Sequence, residues 1–275
     1  MNRKKAYVIG TRVDKSLSPL IFNHWFKKYN INAVYKHKII KEKNFNKDIK
    51  KILKEKNLVG VNITIPFKEK AIKLLDKMDK HSRTIGAVNC ITIKKKKYYG
   101  TNTDWKGFLE AYQKKRLKHK KKINKKKIIL IGYGGAAKAV LYGLLQMGKY
   151  YKENTIVFNR TKRKIQFSQF SQKITHSIKK IKDHTEDSYL IINTTPRNVF
   201  SDLKIKKINK SIEVCDIVYK PKETKFLKHF TNAKTKVYGI DMLINQARPC
   251  FFSWFGIMPS EDSALKTKIL KRIKG

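Results

Sequence analysis

Hydrophobic and polar positions follow patterns along the chain that predict strands and helices in succession. Residues 61–65 alternate apolar with polar side chains and predict a strand that stops at Pro66, whereas 128–131 are continuously apolar, as in a strand buried on both faces. Apolar residues at helical spacing predict helices over 20–26, 45–53 and 136–147. Further strands are predicted at 6–9, 33–35, 155–158, 189–193 and 213–217, a hairpin within 87–99, and helices at 67–75, after 105 and within 240–275. This succession is typical of an α/β fold.

The length and the order of these elements predict two domains. A chain of 275 residues with 41% hydrophobic residues is long enough for two packed cores. The βαβαβ rhythm that begins near residue 128 predicts a doubly wound, Rossmann-like sheet. The first third predicts a separate α/β domain with a mixed sheet. We expect boundaries after residues 104 and 239, helices of 240–275 that pack back on the first domain, and an active-site cleft between the domains.

The charge is strongly basic, with 65 Lys and Arg residues against 20 Asp and Glu, a net charge of +45. Nine of the 65 are arginine, whereas nucleic-acid-binding proteins use arginine and interleaved aromatic residues at their basic patches. Lysine, isoleucine and asparagine are abundant throughout, and A+T-rich codons encode all three. Codon composition therefore explains the charge better than selected nucleic-acid binding, and we expect only weak, salt-sensitive attraction for polyanions.

The cysteines and the apolar segments set further limits. Cys90, Cys215 and Cys250 lie far apart without a C-x-x-C pair, so that the sequence indicates neither a disulfide scaffold nor a zinc site. No uninterrupted apolar window of about 18 residues occurs, and the apolar run near the start is too short for a signal peptide. We expect a soluble, cytoplasmic protein without a metal.

A glycine-rich turn predicts a dinucleotide site. Gly132-Tyr133-Gly134-Gly135-Ala136-Ala137 follows the apolar strand directly and precedes a helix, in the pattern G-x-G-x-x-A. The first glycine permits the tight turn, the second lets backbone approach a pyrophosphate, and the helix start offers free N–H groups to phosphates.

The end of the next strand indicates which dinucleotide is bound. A site for NAD usually has Asp or Glu there, but this chain has Asn159-Arg160-Thr161, followed by Lys162, Arg163 and Lys164. Charge-assisted hydrogen bonds from Arg160, Thr161 and Lys164 suit a 2′-phosphate, and arginine is scarce elsewhere in the chain. The cofactor prediction is therefore NADP.

Three polar segments of the first domain each have a structural explanation when taken singly. Ser18-Pro19 is a common helix start, and Asp104 is a favoured helix N-cap. Lys68 lies between a strand and a helix, where an amine can exchange a proton with a substrate, but lysine is frequent everywhere in this chain.

Together, the motifs resemble the shikimate dehydrogenase family, in matching order over almost the whole chain. They are Ser16-Leu-Ser18-Pro19, Asn62 to Lys68, Gly86-Ala-Val-Asn89, Asn102-Thr-Asp104, the glycine turn, Asn159-Arg160-Thr161, Asn193-Thr-Thr-Pro196, Asp216-Ile-Val-Tyr219-Lys-Pro221 and Gly239 to Gln246. The resemblance implies reversible reduction of 3-dehydroshikimate to shikimate with NADPH, a step toward aromatic amino acids.

The resemblance also implies roles for individual residues. Lys68 would be the acid/base, and Asp104 would bind the reacting hydroxyl beside it. The residues expected to bind substrate are Ser16 and Ser18 at its carboxylate, and Asn62, Thr64, Asn89, Tyr219 and Gln246 at its hydroxyls. Those expected at the cofactor are Gly132, Tyr133, Gly134, Gly135, Ala136, Asn159, Arg160, Thr161, Lys164 and Thr194, with Ile217, Gly239 and Met242 at the nicotinamide. The expected partners are the small-molecule substrate and a second copy in a homodimer, with no specific nucleic acid and no membrane.

Two departures and two alternatives stay open. Tyr133 replaces a small residue of the family's turn, where its side chain can point outward, and Asp241 stands where glycine is common. A buried carboxylate is costly, so we expect Asp241 to be exposed or paired with a lysine. One alternative is a quinate/shikimate dehydrogenase with relaxed use of substrate or NAD. The other is a basic nucleic-acid-binding protein on a cofactor-like fold.

Overall fold

A computed structural model describes residues 2–117, 126–208, 210–260 and 262–274. The chain forms two compact units, of which unit 1 comprises Met1–Thr103 with Gln246–Gly275 and unit 2 comprises Asp104–Asn245. The sequence had set these limits after residues 104 and 239. Of the lysine-rich run 114–127, which was expected to be a surface connection, residues 118–125 lie outside the described part of the chain. Within the described ranges, no helix has the length and apolar content needed to cross a membrane.

Unit 1 contains a six-stranded mixed sheet, as predicted. Its strands are β1 (Lys4–Gly10), β2 (Ala33–Ile39), β3 (Leu58–Ile63), β4 (Lys77–Met78), β5 (Cys90–Lys94) and β6 (Lys97–Thr101), in the order β2-β1-β3-β5-β6-β4. β1 pairs in parallel with β2 and β3, whereas β5 pairs antiparallel with β3 and β6. The predicted hairpin is β5–β6, and its turn places Lys95 and Lys96 at φ 49° and 61°, in the left-handed region.

The helices of unit 1 cover this sheet. They are α1 (Ser18–Lys28), α2 (Phe45–Leu53), α3 (Lys80–Ile85), α10 (Ser263–Lys274) and the last part of α9 (Gly239–Phe255). Phe22 of α1 packs against Phe251 and Trp254 of α9, and Asp262 before α10 forms ion pairs with His24 and Lys28 of α1. The prediction that C-terminal helices pack on the first domain is therefore confirmed.

The helix predicted at 67–75 was wrong. The segment instead has a short 3₁₀ helix, Lys70–Leu74. Phe67 is fully buried and stacks on Phe45 with 4.3 Å between ring centroids, and its amide bonds the Thr64 carbonyl in a turn. This tertiary packing holds residues 64–67 out of a helix, which local spacing could not indicate.

Unit 2 contains a six-stranded sheet in which all neighbouring strands are parallel. Its strands are β7 (Lys127–Ile131), β8 (Thr155–Asn159), β9 (His176–Ser177), β10 (Ser188–Asn193), β11 (Glu213–Asp216) and β12 (Thr235–Tyr238). The order β12-β11-β10-β7-β8-β9 is the Rossmann order, with β7 as its first strand. The order of the strands reverses between β7 and β10. Sheets of this kind bind their ligands at that point.

The helices of unit 2 are α4 (Asp104–Arg116), α5 (Gly135–Gln146), α6 (Lys149–Asn154), α7 (Lys182–Thr185) and α8 (Val199–Asp202), with the start of α9. Residues 128–131 of β7 are fully buried, as their continuous apolar pattern predicts. Residues 160–175, which join β8 to β9, are all described and contain no helix.

Candidate active site

Three predicted substrate residues meet in unit 1 in one buried hydrogen-bond network. Asn62 at the end of β3 donates from Nδ2 to the Asn89 carbonyl at 3.0 Å. Asn89, just before β5, donates from Nδ2 to Gln246 Oε1 at 3.1 Å. All three side chains are at least nine-tenths buried. The Asn89–Gln246 bond joins residues 157 positions apart, so distant parts of the chain are gathered at one place.

The network also includes residues that sequence reasoning missed. Thr103 donates its amide to Asn89 Oδ1 at 2.7 Å and accepts from Asn89 Nδ2 at 2.9 Å. Cys250 Sγ lies 3.2 Å from Asn62 Nδ2 and 3.3 Å from Thr103 Oγ1, and the Tyr35 hydroxyl donates to Asn62 Oδ1 at 2.8 Å. Thr103 lies inside the Asn102-Thr-Asp104 motif and could have been found there. Cys250 and Tyr35 carry no local signal.

The two serines lie at the start of α1, but not in the predicted arrangement. Ser18 is the first helical residue and is buried, while Leu17 occupies the N-cap position without a side-chain cap. The hydroxyl of Ser16 accepts the Ser18 amide at 3.3 Å and takes the part expected of Ser18. Pro19 lies in the first turn, as expected. Because Pro19 has no N–H and the Ser18 amide is already bonded, the serine hydroxyls are the groups here that suit a carboxylate.

Thr64 and Lys68 follow β3, and both are partly exposed. The Thr64 amide bonds the Ile9 carbonyl at 2.9 Å, and the Lys68 carbonyl accepts the Val88 amide at 2.9 Å, so backbone bonds fix this segment within unit 1. Asp104 begins α4 in unit 2 and is 4% exposed. Because the two residues belong to different units, the approach of Lys68 to Asp104 stays a prediction.

In unit 2 the glycine turn leaves β7 at the switch point of the sheet. Gly132 has φ +103°, and a Cβ there would lie 2.5 Å from Thr194 Oγ1, so both backbone conformation and space require glycine. The Thr194 hydroxyl donates to the Ile131 carbonyl at 2.5 Å and thereby joins the ends of β7 and β10. Gly134 is exposed and its Cβ position is open, which leaves room for a diphosphate at the start of α5.

The cations predicted for the 2′-phosphate lie together after β8. Arg160, Thr161 and Lys164 are all exposed, and Asn159 donates from Nδ2 to the Thr161 carbonyl at 2.9 Å. With no carboxylate at the end of β8, this segment fits the extra phosphate of NADP.

The loop after β11 carries further residues predicted for the cofactor. A Cβ on Gly239 would lie 2.4 Å from the Ile217 carbonyl oxygen, so glycine is required for these segments to meet. Met242, one turn into α9, is buried, and Tyr219 is partly exposed. Asp216 anchors the loop, because its carboxylate accepts bonds from Asn193 Nδ2 and the Val218 amide, each at 3.0 Å.

The two departures from the family pattern have different outcomes. The expectation that Tyr133 can point outward was wrong, because its side chain is 2% exposed. Its hydroxyl accepts the Gln166 amide at 3.1 Å, and Lys138 Nζ lies 5.6 Å from its ring centroid. Asp241 is paired as expected, with Lys115 Nζ 3.8 Å from its Oδ2.

Cys90, Cys215 and Cys250 are all free and buried. Burial raises the pKa of the Cys90 and Cys215 thiols, which makes them poor nucleophiles. Across the described ranges, no group of three or more His, Cys, Asp or Glu side chains is placed to hold a metal ion.

Known proteins match this chain in both sequence and fold. Residues 8–91 match the family model described as the shikimate dehydrogenase substrate binding domain. A shikimate dehydrogenase (NADP(+)) of Staphylococcus epidermidis is 31% identical over 281 residues, which cover 100% of this chain and 99% of that protein.

Solved structures extend the match to the whole fold. Shikimate dehydrogenase from Aquifex aeolicus superposes with a TM-score of 0.78 at 30% identity, covering 98% of this chain and 99% of that one. Shikimate 5-dehydrogenase from Thermus thermophilus, solved with NADP(H) and shikimate, has a TM-score of 0.75 at 26% identity and the same coverage. Since its sequence matches over the full length and its fold over 98% of the chain, the chain belongs to the NADP-dependent shikimate dehydrogenase family of oxidoreductases.

Proposed function

We propose that this chain reduces 3-dehydroshikimate to shikimate, reversibly, with Lys68 as the acid/base and Asp104 as its partner. The observation that carries the proposal is the single buried network of Asn62, Asn89 and Gln246 in unit 1. Its amide groups suit a ligand with several hydroxyls. NADPH, when bound, supplies a hydride to the substrate carbonyl carbon.

The chain's own residues then handle the carbonyl oxygen. Lys68 donates a proton to this oxygen as the hydride arrives, and the Asp104 carboxylate orients the ammonium and accepts a hydrogen bond from the new hydroxyl. The reaction consumes one ketone, one hydride and one proton and yields one alcohol. Closure around the substrate excludes water during this step.

The remaining substrate residues orient the ring. Ser16 and Ser18 at the start of α1 bind the substrate carboxylate, and Thr64 and Tyr219 contribute hydroxyl groups. Asn89 already has two donors and an acceptor engaged, so a substrate hydroxyl must replace one of its present partners. The Asn89–Gln246 bond, at 3.1 Å, is the one that we expect to exchange.

Lys68→Ala tests the acid/base role. We expect kcat to fall by about 10²–10⁴-fold while the Kd for NADPH stays unchanged, because the amine is needed only for proton transfer. Lys70→Ala is the matched control, since Lys70 is two residues away and forms an exposed ion pair with Glu42 at 2.6 Å. Stopped-flow or steady-state absorbance of NADPH measures both variants. A Lys68→Ala enzyme with near-normal turnover removes Lys68 from this role.

Specificity belongs to the same assay. Initial rates with shikimate and quinate, each with NADP and NAD, separate a strict shikimate dehydrogenase from the quinate-using alternative. We expect shikimate with NADP to be strongly preferred, because Arg160, Thr161 and Lys164 follow β8 where an NAD site has a carboxylate.

Location and assembly complete the proposal. The enzyme works in the cytoplasm, where its three buried free thiols stay reduced. It forms a homodimer, in which a second copy would cover some of the half-exposed apolar side chains of unit 1, namely Ile39, Phe252 and Met258. Sedimentation velocity at several protein concentrations tests the dimer. Gel shifts with DNA at 50 and 200 mM salt test for specific nucleic-acid binding, which we expect to be absent at the higher salt.

A further inference from the structure

The segment that carries the 2′-phosphate cations is held without a helix of its own. In doubly wound sheets a strand is usually followed by a helix that returns the chain, but the described residues 160–175 contain none. The segment instead pairs with itself. The Thr175 amide donates to the Arg163 carbonyl, and the Arg163 amide donates to the Thr175 hydroxyl. The Ile165 amide donates to the Lys173 carbonyl at 2.7 Å. Its position on the sheet therefore depends on a few individual anchors.

Tyr133 is an anchor that reaches this segment from the glycine turn. Its hydroxyl accepts the backbone N–H of Gln166 at 3.1 Å, two residues beyond Lys164. The ring is 2% exposed, and the Lys138 ammonium, from the first turns of α5, lies 5.6 Å from the ring centroid. The ring is thus fixed by the turn and by α5, and its hydroxyl end holds residue 166.

We infer that Tyr133 is a positioning residue that sets the preference for NADP over NAD. It couples the turn that receives the diphosphate to the segment that receives the 2′-phosphate. The inference rests on the cofactor site proposed above, with Arg160, Thr161 and Lys164 as its phosphate ligands. Tyr133 contacts the 2′-phosphate segment at Gln166 and acts on that phosphate through this contact.

The chemistry of the hydroxyl predicts a selective effect. Losing the bond frees the Gln166 amide and loosens Arg160–Lys164, which matters only for a cofactor that carries the 2′-phosphate. NADH contacts the glycine turn through its diphosphate and has no charge to offer this segment. One hydrogen bond of this kind corresponds to roughly a five- to tenfold change in affinity.

Tyr133→Phe tests the inference, because phenylalanine keeps the buried ring and removes only the hydroxyl. Calorimetric or fluorescence titration should show a Kd for NADPH about five- to tenfold higher and a Kd for NADH changed less than twofold. The Kd for adenosine 2′,5′-bisphosphate should rise as that for NADPH does, whereas the Kd for 5′-AMP should stay unchanged. Tyr151→Phe is the matched control, since its hydroxyl is also buried in unit 2 but accepts from Arg116 at 2.7 Å. This control should leave the NADPH-to-NADH ratio unaltered.

Hydrogen exchange provides a reading that does not depend on affinity. The amide of Gln166 should exchange faster in Tyr133→Phe than in the unmodified protein, and NADPH should restore part of its protection. The inference is overturned if both cofactors weaken by the same factor, if neither changes, or if Gln166 exchanges at the same rate. Arg160→Ala separates this result from the site itself: if that variant binds NADPH normally, the proposed phosphate site is wrong, whatever Tyr133→Phe does.

Discussion

The substrate residues of unit 1 and the cofactor residues of unit 2 are built in opposite ways. Asn62, Asn89 and Gln246 are buried and hydrogen-bonded to one another, and they come from distant parts of the chain. Most of the residues predicted for the cofactor lie in the two short stretches 132–136 and 159–164, and Arg160 and Lys164 are exposed. Side chains in the first region therefore hold distant parts of the fold together, whereas the second region relies on backbone for its shape and exposes its charged side chains.

The comparison predicts its largest effect at Asn89. Asn89→Ala removes bonds to both Thr103 and Gln246 from the buried network. We expect unfolding free energy to fall by roughly 3 kcal/mol and kcat/KM for shikimate to fall with it. Urea denaturation and initial rates measure the two.

Asp79→Ala serves as the control for Asn89→Ala. Asp79 caps α3 in the same unit by accepting the Ser82 amide at 2.7 Å, so its loss should destabilise unit 1 by about 1 kcal/mol. It should not change the KM for shikimate. If both variants change KM equally, the network has no special part in binding.

Asp216 lies in a buried polar centre of unit 2, and pH tests it. Burial raises the pKa of Asp216 to about 6, although the Thr224 hydroxyl, the Val218 amide and Asn193 donate to its carboxylate. The folded protein therefore binds this proton more tightly than the unfolded chain. The resulting stabilisation is complete below about pH 4, is lost as the pH rises through about 6, and amounts to roughly 3 kcal/mol at most.

Denaturation at intervals from pH 4 to pH 7 measures this contribution. The unmodified protein should lose more unfolding free energy over that interval than Asp216→Asn, which has no proton to release. Equal pH slopes for the two proteins would show that Asp216 titrates normally and is not a buried centre of the unit 1 kind.

The smallest effect on stability is expected at Arg160. Arg160→Ala should weaken NADPH binding by about 10–100-fold, because charge-assisted bonds to the 2′-phosphate are lost. NADH binding should stay almost unchanged because NADH lacks that phosphate, and Tm should stay almost unchanged because the side chain is exposed. Titration and thermal unfolding measure these. A large drop in Tm would show that Arg160 also stabilises the fold, which would contradict the difference between the two regions.

Local patterns were enough to predict much of this molecule. The Rossmann order follows from β7, the glycine turn and α5 in succession, and the hairpin β5–β6 follows from the apolar segments on either side of a four-lysine turn. Both depend on neighbours in the chain. The helix predicted after Pro66 was wrong because Phe67 packs against Phe45, which is distant in the sequence. The outward orientation predicted for Tyr133 was wrong because its hydroxyl bonds the Gln166 amide.

The network in unit 1 was half predictable for the same reason. Motifs mark Asn62, Asn89 and Gln246 as candidate site residues, but they do not predict the hydrogen bonds between them. Thr103 and Cys250 join through contacts 14 and 147 positions apart, which no local spacing reports. Long-range packing, not residue type, decides membership.

The turn of the β5–β6 hairpin bears on the origin of the excess lysine. Its two central residues, Lys95 and Lys96, hold left-handed backbone conformations that glycine or asparagine adopts with less strain. Lysine has thus accumulated even where local geometry disfavours it. Lysine at such positions is what A+T-rich codon composition predicts and what selection for local geometry does not. Replacing Lys95 and Lys96 by Asn and Gly should raise the Tm of the protein.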